Sequence, residues 1–475
     1  MTRFLNSLVL LVVLASCASK ESPPSIVGVW LGDLVVNENL RLRVGCEFKL
    51  ENDSLVGTMA SIDQGAYGIQ INSISIIGDT LVFAVNQMGV TYRGIFSADT
   101  SIDGHFVQGS SPPMVLNFTR AAAIPGAPPE RHQYPRKPYP YHEEEIEFTS
   151  STTGFTLAGT LTYPRKGGDY PAVLLIPGSG ANDRDETIWG HKVFLVLADH
   201  LTRHGVVVLR MDDRGVGGST GTFETASVKD FADDAREGIL YLKSRVDLSI
   251  GKLGLIGHSL GADIAPLAAN LSPDVSFVVL MAGSGITLAE TIHFQTDHIY
   301  TKRGASLEAI ALNRKINQTV FDIAAMDIDP ITREQKLSQA FTILAPEVAR
   351  LDNEDRQNVE IPEILKPEDY YGFFSENMRF DLFYNPADEL EKLRIPILLL
   401  AGDLDTQVSA NHNMQLMRQA LDRGGNTQVT ARLYPGVNHL FQTCSTGEIE
   451  EYNQIGETLS PLVLEDMTAW INSLK

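Results

Sequence analysis

The sequence predicts two domains of different class, a small all-β domain followed by a larger α/β domain. Between residues 26 and 120, short stretches of alternating apolar and polar residues are separated by turn sequences, a pattern typical of antiparallel strands. From about residue 143 onward, continuous apolar runs alternate with amphipathic segments, as a mostly parallel sheet flanked by helices requires. A segment with six prolines, at 121–142, separates the two patterns.

Composition excludes several classes of protein. The chain has 475 residues with 59 acidic and 38 basic side chains, a formal net charge of −21, and 43% hydrophobic residues. This hydrophobic content is sufficient for a substantial core, so global disorder is excluded. Nucleic-acid binding requires clustered basic charge, and the negative balance argues against it. Three cysteines cannot form a disulfide scaffold.

The first residues resemble a bacterial lipoprotein signal. Arg3 precedes an apolar run at 8–14 that is too short to span a bilayer, and Leu-Ala-Ser-Cys follows at 14–17. The resemblance implies that residues 1–16 are a signal peptide and that acylated Cys17 anchors an exported protein to a membrane of the cell envelope, facing the periplasm or the cell surface. An ordinary signal peptide with an unrelated cysteine is the alternative.

Residues 26–120 are predicted to form a small antiparallel barrel or sandwich. The clearest strand is 40–50, where apolar and polar residues alternate without interruption and Cys46 is expected to point inward. No catalytic group of residues is visible in this domain, and contact with glycans or other envelope components is left open for it. The Pro-rich segment 121–142 is predicted to be a semi-rigid linker.

The catalytic domain is predicted to span residues 143–475. Its buried parallel strands are expected at 172–176, 206–211, 253–256, 275–281 and 395–401. The interval of about 285–393 interrupts this pattern with a long, mostly helical composition. We interpret that interval as a helical cap inserted between two strands of the sheet.

The strongest functional signal is the motif Gly-x-Ser-x-Gly at 257–261, which lies between a predicted strand and a predicted helix of small residues. A tight turn there would present the hydroxyl of Ser259 at the edge of the sheet. Glycines are needed on both sides because a Cβ atom would clash with neighbouring backbone. Strand, motif and helix together predict that Ser259 is a nucleophile.

A serine hydroxyl needs a base to take its proton and an acid to orient that base. In this architecture the chain order is serine, acid, histidine. Two carboxylates, Asp403 and Asp405, compete for the role of the acid. His439 is the candidate base because it follows the last predicted strand, whereas its rival His412 begins a predicted helix.

These features resemble the α/β-hydrolase superfamily over roughly residues 143–475, apart from the cap. In that superfamily the acid typically lies in a Gly-x-x-Asp-x-x-Val loop. This pattern maps onto 402–408 and implies Asp405 as the acid, with Asp403 capping the turn. Segments 177–186 and 211–221 are similar to a group of bacterial carboxylesterases related to serine aminopeptidase-type hydrolases.

Acyl transfer also needs N–H donors directed at the oxyanion that develops. The backbone N–H of Leu260, directly after the nucleophile, is one candidate. By resemblance, the second is the N–H of Ser179 in the small-residue loop after the strand at 172–176. The alternative for that loop is a simple glycine-rich turn.

Other polar residues have more than one interpretation. Asp213 and Arg214 are interpreted as a structural ion pair that braces a turn. For Asp183, substrate contact and bracing of its loop are both left open. His200 and His204 are four residues apart, but no H-E-x-x-H pattern accompanies them, and no metal site is expected.

The sequence therefore predicts a serine carboxylesterase for small or short-chain esters, with no cofactor. A serine peptidase, aminopeptidase or thioesterase with the same triad is the alternative, and an envelope-binding protein with an inert hydrolase-like domain is a distant one. Phe373 and Phe374 in the cap could line an acyl pocket or could only pack the cap.

Overall fold

The computed structural model describes residues 25–37, 40–51, 54–109 and 111–474. Two compact units are present, one ending at Pro128 and the other beginning at Pro129. We call them the β unit and the α/β unit. The predicted signal peptide and Cys17 lie outside the described residues.

The β unit is one antiparallel sheet of nine strands, in the order β4-β3-β2-β1-β9-β8-β7-β6-β5. The strands are β1 (Gly28–Asn37), β2 (Leu40–Glu51), β3 (Ser54–Ser61), β4 (Ala66–Gln70), β5 (Ser73–Ile77), β6 (Thr80–Val85), β7 (Val90–Ala98), β8 (Ser101–Gln108) and β9 (Met114–Ala121). Short 3₁₀ turns lie at Ile62–Gln64 and Asn86–Met88.

The two ends of this sheet meet at the connection between the edge strands β4 and β5. Ile71 donates its N–H to the carbonyl of Gly57 in β3, and Asn72 donates to the carbonyl of Ala84 in β6, at 3.0 and 2.8 Å. The sheet therefore curves into a barrel-like form around one apolar core, and does not split into a two-sheet sandwich. Cys46 is buried in that core, as the alternation in β2 predicts.

The α/β unit contains an eight-stranded sheet in the order β10-β11-β15-β12-β16-β17-β18-β19. The six strands from β15 to β19 in that order are mutually parallel, and β10 and β11 are antiparallel at one edge. Its strands are β10 (Tyr141–Thr149), β11 (Thr156–Pro164), β12 (Tyr170–Ile176), β15 (Val207–Met211), β16 (Ile250–His258), β17 (Val275–Met281), β18 (Ile397–Gly402) and β19 (Val429–Tyr434). A two-stranded hairpin, β13 (Thr187–Ile188) with β14 (His191–Lys192), lies outside the sheet.

Helices cover both faces of the sheet. They are α1 (Val193–Arg203), α2 (Val228–Ser244), α3 (Leu260–Leu271), α10 (Ala410–Gly424), α11 (Ile449–Tyr452) and α12 (Pro461–Ser473). One apolar cluster lies between the sheet and α2, α3 and α10, and a second lies between the sheet and α1 and α12. All five predicted buried strands overlap strands of this sheet, since only residues covered on both faces can be apolar throughout.

A helical cap is inserted between β17 and β18. It comprises α4 (Leu288–Lys302), α5 (Leu307–Ala324), α6 (Pro330–Val348), α7 (Asn353–Asn358), α8 (Glu376–Phe383) and α9 (Pro386–Leu390), with a 3₁₀ segment at Pro367–Phe374. The cap has an apolar cluster of its own. None of the described helices is both long and apolar enough to cross a bilayer.

The Pro-rich segment differs in part from the predicted linker. From Pro129 it belongs to the α/β unit, where the side-chain amide of Gln133 donates to the carbonyl of Leu459 at 2.7 Å and the hydroxyl of Tyr134 accepts from the N–H of Lys192 at 2.9 Å. Proline content predicts an extended backbone, but it does not predict whether the side chains between the prolines bind a neighbouring surface.

Candidate active site

The turn between β16 and α3 holds Ser259 in a strained conformation, with φ 53° and ψ −122°. Such a backbone costs about 1–3 kcal/mol in a residue other than glycine. A Cβ atom on Gly261 would lie 2.1 Å from the carbonyl oxygen of Ile176, and one on Gly257 would lie 2.1 Å from that of Gly261. Both glycines of the motif are therefore required by close backbone approach.

Ser259, His439 and Asp405 form a hydrogen-bonded series. The Nε2 atom of His439 lies 3.0 Å from the Oγ of Ser259, and its Nδ1 lies 2.7 Å from an Oδ of Asp405. The other oxygen of Asp405 accepts the N–H groups of Gln407 and Val408 at 2.9 and 2.8 Å. Because this carboxylate is fixed by its own loop, it holds the imidazole with Nε2 toward the serine.

The rival residues lie elsewhere. Asp403 accepts the N–H of Gly436 at 2.6 Å and so caps the turn after β19. His412 is exposed on α10. Neither is part of the hydrogen-bonded series at Ser259.

The loop after β12 approaches Ser259 closely, since a Cβ atom on Gly178 would lie 3.1 Å from that of Ser259. The side-chain amide of Asn182 donates to the carbonyls of Gly178 and Gly180, each at 2.9 Å. In a trans peptide the carbonyl and the next N–H point in opposite directions, so the N–H of Ser179 points away from Asn182.

The other candidate donor is the N–H of Leu260, the first residue of α3. The first four N–H groups of a helix have no partner within it, and the helix dipole favours negative charge at this end. The two predicted oxyanion donors therefore lie on elements that flank Ser259.

A buried acid–histidine pair lies beneath these loops. Glu186 Oε1 is 2.8 Å from Nδ1 of His258, and the Nε2 of His258 is 3.0 Å from the carbonyl oxygen of His439. Burial lowers the pKa of His258, but the Glu186 carboxylate and the His439 carbonyl outweigh it, so this pKa lies above its ordinary value. Sequence reasoning missed this pair because its members are 72 residues apart and neither follows a periodic pattern.

An apolar cleft opens beside Leu260, the residue that follows Ser259. Its lining includes Pro177, Gly178, Leu260, Ile264, Met211, Phe223 and Phe231, with the carboxylates Asp212, Asp213 and Asp234 in its wall. Apolar walls of this kind suit the hydrocarbon part of a small ligand.

The predicted ion pair between Asp213 and Arg214 is wrong. Arg214 pairs instead with Asp234, at 2.7 Å, and with Asp230, at 3.2 Å. Asp213 accepts the N–H of Asn182 at 2.9 Å, and burial raises its pKa to about 7. Neighbours in a turn point in different directions, so adjacent opposite charges need not meet.

The acidic loop at 183–185 is internally hydrogen-bonded. The Asp183 carboxylate accepts the N–H groups of Asp185 and Thr187, both at 3.1 Å. Arg184 forms a bidentate pair with Asp212, at 3.0 and 2.6 Å. These bonds give Asp183 a loop-bracing role, one of the two alternatives left open by the sequence.

The cap aromatics pack within the cap. The ring of Phe373 meets that of Phe321 edge-on at 5.5 Å between centroids, and the guanidinium of Arg333 lies 5.5 Å from the ring centroid of Phe374.

Among the described residues no group of three or more His, Cys, Asp or Glu side chains is arranged to hold a metal ion. The rings of His200 and His204 are 4.3 Å apart, and burial lowers the pKa of His200 to about 4.

The chain is similar to proteins of known class. Over 285 residues it is 27% identical to the esterase EstD of Thermotoga maritima, a match that covers 60% of this chain and 58% of EstD. The chain thus spans less than two thirds of that relative's length.

Solved structures are also similar. An esterase of Pyrococcus furiosus matches 73% of this chain and 96% of its own at 16% identity and a TM-score of 0.42. Est1E of Butyrivibrio proteoclasticus, with bound ferulic acid, matches 69% of this chain and 98% of its own at 18% identity and a TM-score of 0.41.

The family model described as the alpha/beta hydrolase family matches residues 173–448. This range runs from β12 through the turn of Ser259, the cap and the loop of His439. Because the match covers more than half of the chain, the chain belongs to the alpha/beta hydrolase family.

Proposed function

We propose that this chain is a serine hydrolase that cleaves carboxylic esters through an acyl-enzyme intermediate. The observation that carries the proposal is the hydrogen-bonded series from Asp405 through His439 to Ser259. The similarity to an esterase over 285 residues favours an ester as the acyl donor.

In the first step, the Nε2 of His439 takes the proton of the Ser259 hydroxyl as the serine oxygen attacks the ester carbonyl carbon. Asp405 holds the proton of Nδ1, so that the lone pair of Nε2 faces the serine, and stabilises the imidazolium that forms. The backbone N–H groups of Leu260 and Ser179 then hydrogen-bond the oxyanion of the tetrahedral intermediate.

Collapse of this intermediate breaks the ester C–O bond, and His439 gives its proton to the departing alcohol. Water then enters, loses a proton to the same imidazole and attacks the acyl carbonyl. The second tetrahedral intermediate releases the carboxylic acid, and the proton returns to Ser259. The cycle needs only water as co-substrate.

Small esters are the substrate class that the cleft beside Ser259 favours. Its lining combines backbone of the loop after β12 with apolar side chains such as Met211, Phe223 and Ile264. We therefore assign the acyl pocket to this cleft. The cap aromatics Phe373 and Phe374 make their contacts with other cap residues.

The proposal is tested with p-nitrophenyl esters of increasing acyl length, a thioester and aminoacyl amides. We expect turnover of short esters, and a loss of about 10⁴-fold or more in kcat for Ser259→Ala without unfolding. A fluorophosphonate should label the wild type and not this variant. Ser276→Ala, which changes a serine in β17, is the matched control. Near-normal turnover by Ser259→Ala would remove Ser259 from the mechanism, and preference for the thioester or the amides would replace the ester assignment.

We also propose that acyl chains on Cys17 tether the protein to a membrane of the cell envelope. The support is the resemblance of residues 1–17 to a lipoprotein signal, and two or three acyl chains suffice for stable anchoring. Metabolic labelling with a palmitate analogue should mark the wild type and not Cys17→Ser. Equal labelling of both would contradict the proposal.

For the β unit we propose contact with envelope glycans, on the ground that it is a separate compact unit and that none of the proposed catalytic residues belongs to it. The full chain should be retained on insoluble cell-wall glycan, and a chain lacking residues 26–120 should not. Equal retention would contradict this role.

A further inference from the structure

We infer that Glu186 and His258 act as positioning residues, a buried pair that holds the oxyanion loop, the nucleophile turn and the loop of the base in register. The inference rests on the proposed function, because it assigns a role in the same site. Neither residue reaches the reacting atoms; both act through backbone groups of residues that do.

The first connection is to the oxyanion loop. The Oε1 atom of Glu186 accepts the N–H of Gly178 at 2.8 Å, in addition to its bond with His258. This bond fixes the Pro177–Gly178 peptide, which is one peptide before the one that carries the N–H of Ser179, the candidate oxyanion donor. Displacing Gly178 would therefore move the donating N–H of Ser179 directly.

The second connection is to the base. A carbonyl oxygen can only accept, so the Nε2 of His258 carries a hydrogen and donates it to the carbonyl of His439 itself. His258 also directly precedes Ser259 in the chain. One side chain thus links the backbone of the nucleophile turn to the backbone of the base.

The protonation of the pair follows from its contacts. With Nε2 donating to a carbonyl and Nδ1 facing a carboxylate oxygen, one proton lies between Nδ1 and Oε1. The Glu186 carboxylate and the His439 carbonyl raise the pKa of His258 in spite of its burial, which favours the proton on the ring. In that form the pair is an imidazolium and a carboxylate, neutral as a whole.

Stability does not explain this pair. Glu186 and His258 are 0% and 1% exposed, and apolar residues of similar volume are often at least as stabilising as a buried ion pair. The second carboxylate oxygen of Glu186 has no hydrogen-bond partner among the described residues. The φ of Glu186, 48°, is also unfavourable for a residue other than glycine. A costly arrangement beneath a reactive site is consistent with selection for geometry.

Other titratable groups face the pair. The ring of His439 lies 5.1 Å from that of His258, between centroids, and Asp405 raises the pKa of His258 further. On the other side, Glu186 contributes to the raised pKa of Asp213. Any pH dependence assigned to His258 must therefore be compared with variants of these three residues.

The decisive variant is Glu186→Gln, which keeps the shape of the side chain and removes the charge. We expect kcat for p-nitrophenyl butyrate to fall about 10²-fold with KM changed less than threefold, because small misplacements of catalytic groups reduce the rate and not binding. The rate of fluorophosphonate labelling should fall in parallel.

The matched control is Glu237→Gln. Glu237 is also buried and also accepts a backbone N–H and a side-chain hydroxyl, those of Ser151, at 3.0 and 2.7 Å. We expect this control to lower the thermal midpoint with little effect on kcat. If Glu186→Gln changed kcat no more than Glu237→Gln did, the inference would be overturned.

The pH profile separates positioning from general destabilisation. A histidine whose folded-state pKa is raised keeps its ion pair below its ordinary pKa and loses it as the pH rises through the raised value. Wild-type kcat should therefore decline on the alkaline side, and Glu186→Gln should move this decline to lower pH. An alkaline limb that does not move would contradict the inference.

Two substitutions of His258 divide its bonds. In His258→Asn the amide nitrogen lies near the position of Nδ1 and keeps the bond to Glu186. In His258→Gln it lies near Nε2 and keeps the bond to the His439 carbonyl. We expect the Asn and Gln variants each to retain part of the wild-type kcat, and His258→Leu to have a lower kcat than either of them. Equal kcat in all three variants would overturn the inference. If Glu186→Gln fails to fold, these three variants test the inference in its place.

Failure of the inference and failure of the proposed function are distinguishable. Wild-type turnover and labelling of Ser259, with normal kcat in Glu186→Gln, would remove only the positioning role. Absence of ester turnover and of labelling in the wild type would remove the proposed function itself, and the inference with it.

Discussion

The β unit and the α/β unit bury different kinds of side chain. Within the described residues, Ser61 is the only polar residue that the β unit buries, and its core consists of residues such as Trp30, Phe83 and Tyr92. The α/β unit buries many ionisable side chains, including Glu186, Asp234, Arg214, His258, Asp405 and His439. One unit is stabilised by apolar packing, and the other also maintains charge in its interior.

The location of the buried charge explains the difference. His258 lies at the carboxyl end of β16, Asp212 directly after β15 and Asp405 after β18. In open α/β sheets this edge is where ligands bind. Buried charges are costly unless paired, and the hydrogen-bonded series of Asp405, His439 and Ser259 lies at this edge, where the proposed chemistry needs it.

The sharpest test of this distinction is Asp405→Asn. We expect kcat to fall about 10³–10⁴-fold, because the amide no longer holds the proton of Nδ1 and the imidazole takes the wrong tautomer. The measurement is kcat for p-nitrophenyl butyrate with circular dichroism to confirm folding. The control is Asp403→Asn. Asp403 caps a turn, and this substitution should lower kcat less than tenfold. A larger loss for Asp403→Asn would reverse the assignment of the acid.

A substitution in the core of the β unit should lower its free energy of unfolding and leave kcat for the ester unchanged. Phe83 is fully buried and stacked on Tyr92 at 4.9 Å between ring centroids. We expect Phe83→Ala to lower the free energy of unfolding of that unit by about 3–5 kcal/mol, while kcat stays within twofold. Urea unfolding followed together with ester turnover checks this, and Phe83→Leu should have the smaller effect. A matching loss of kcat would show that the α/β unit depends on the β unit.

Removing one partner of a buried ion pair in the α/β unit should lower the free energy of unfolding as much as truncating an apolar core residue. Arg214→Met leaves the Asp234 carboxylate, already short of one partner, buried without its cation. We expect a loss of about 3–5 kcal/mol in the free energy of unfolding at pH 7. Restoring neutrality with the additional change Asp234→Leu should recover part of it. A loss under about 1 kcal/mol in the free energy of unfolding would mean that the Asp234 carboxylate is not effectively desolvated in the folded chain.

The smallest expected effect is a gain in the free energy of unfolding, whereas the preceding substitutions lower it or lower kcat. The pKa of Asp213 is about 7 in the folded chain against about 3.9 for an ordinary aspartate. The folded chain therefore holds this proton more tightly, and stability is lost as the pH rises from about 4 to about 7. A shift of about three pKa units corresponds to at most about 4 kcal/mol, and we expect Asp213→Asn to recover on the order of 1–2 kcal/mol of it in the free energy of unfolding at pH 8, with no gain at pH 4. Destabilisation at pH 8 would contradict the raised pKa of Asp213.

Much of the architecture could be predicted because it depends on local patterns. Alternation identified β2, and runs apolar on both faces identified the inner strands of the α/β sheet, since burial on one face or on two leaves different periodicities. The break in that rhythm identified the cap. The extent of the linker was not predictable, because Gln133 and Tyr134 bind surfaces formed by distant residues.

The sequence by itself determined the turn of Ser259, the order of the candidate residues and the fold class, because each of these depends on residues that are close together in the chain. Only the tertiary structure decided which carboxylate meets His439, that Arg214 pairs with Asp234 and not with Asp213, and that Glu186 lies under the oxyanion loop. The physical reason is that a hydrogen bond depends on positions to within a few tenths of an ångström. Chain folding sets such positions for residues far apart in sequence, and no local pattern records them.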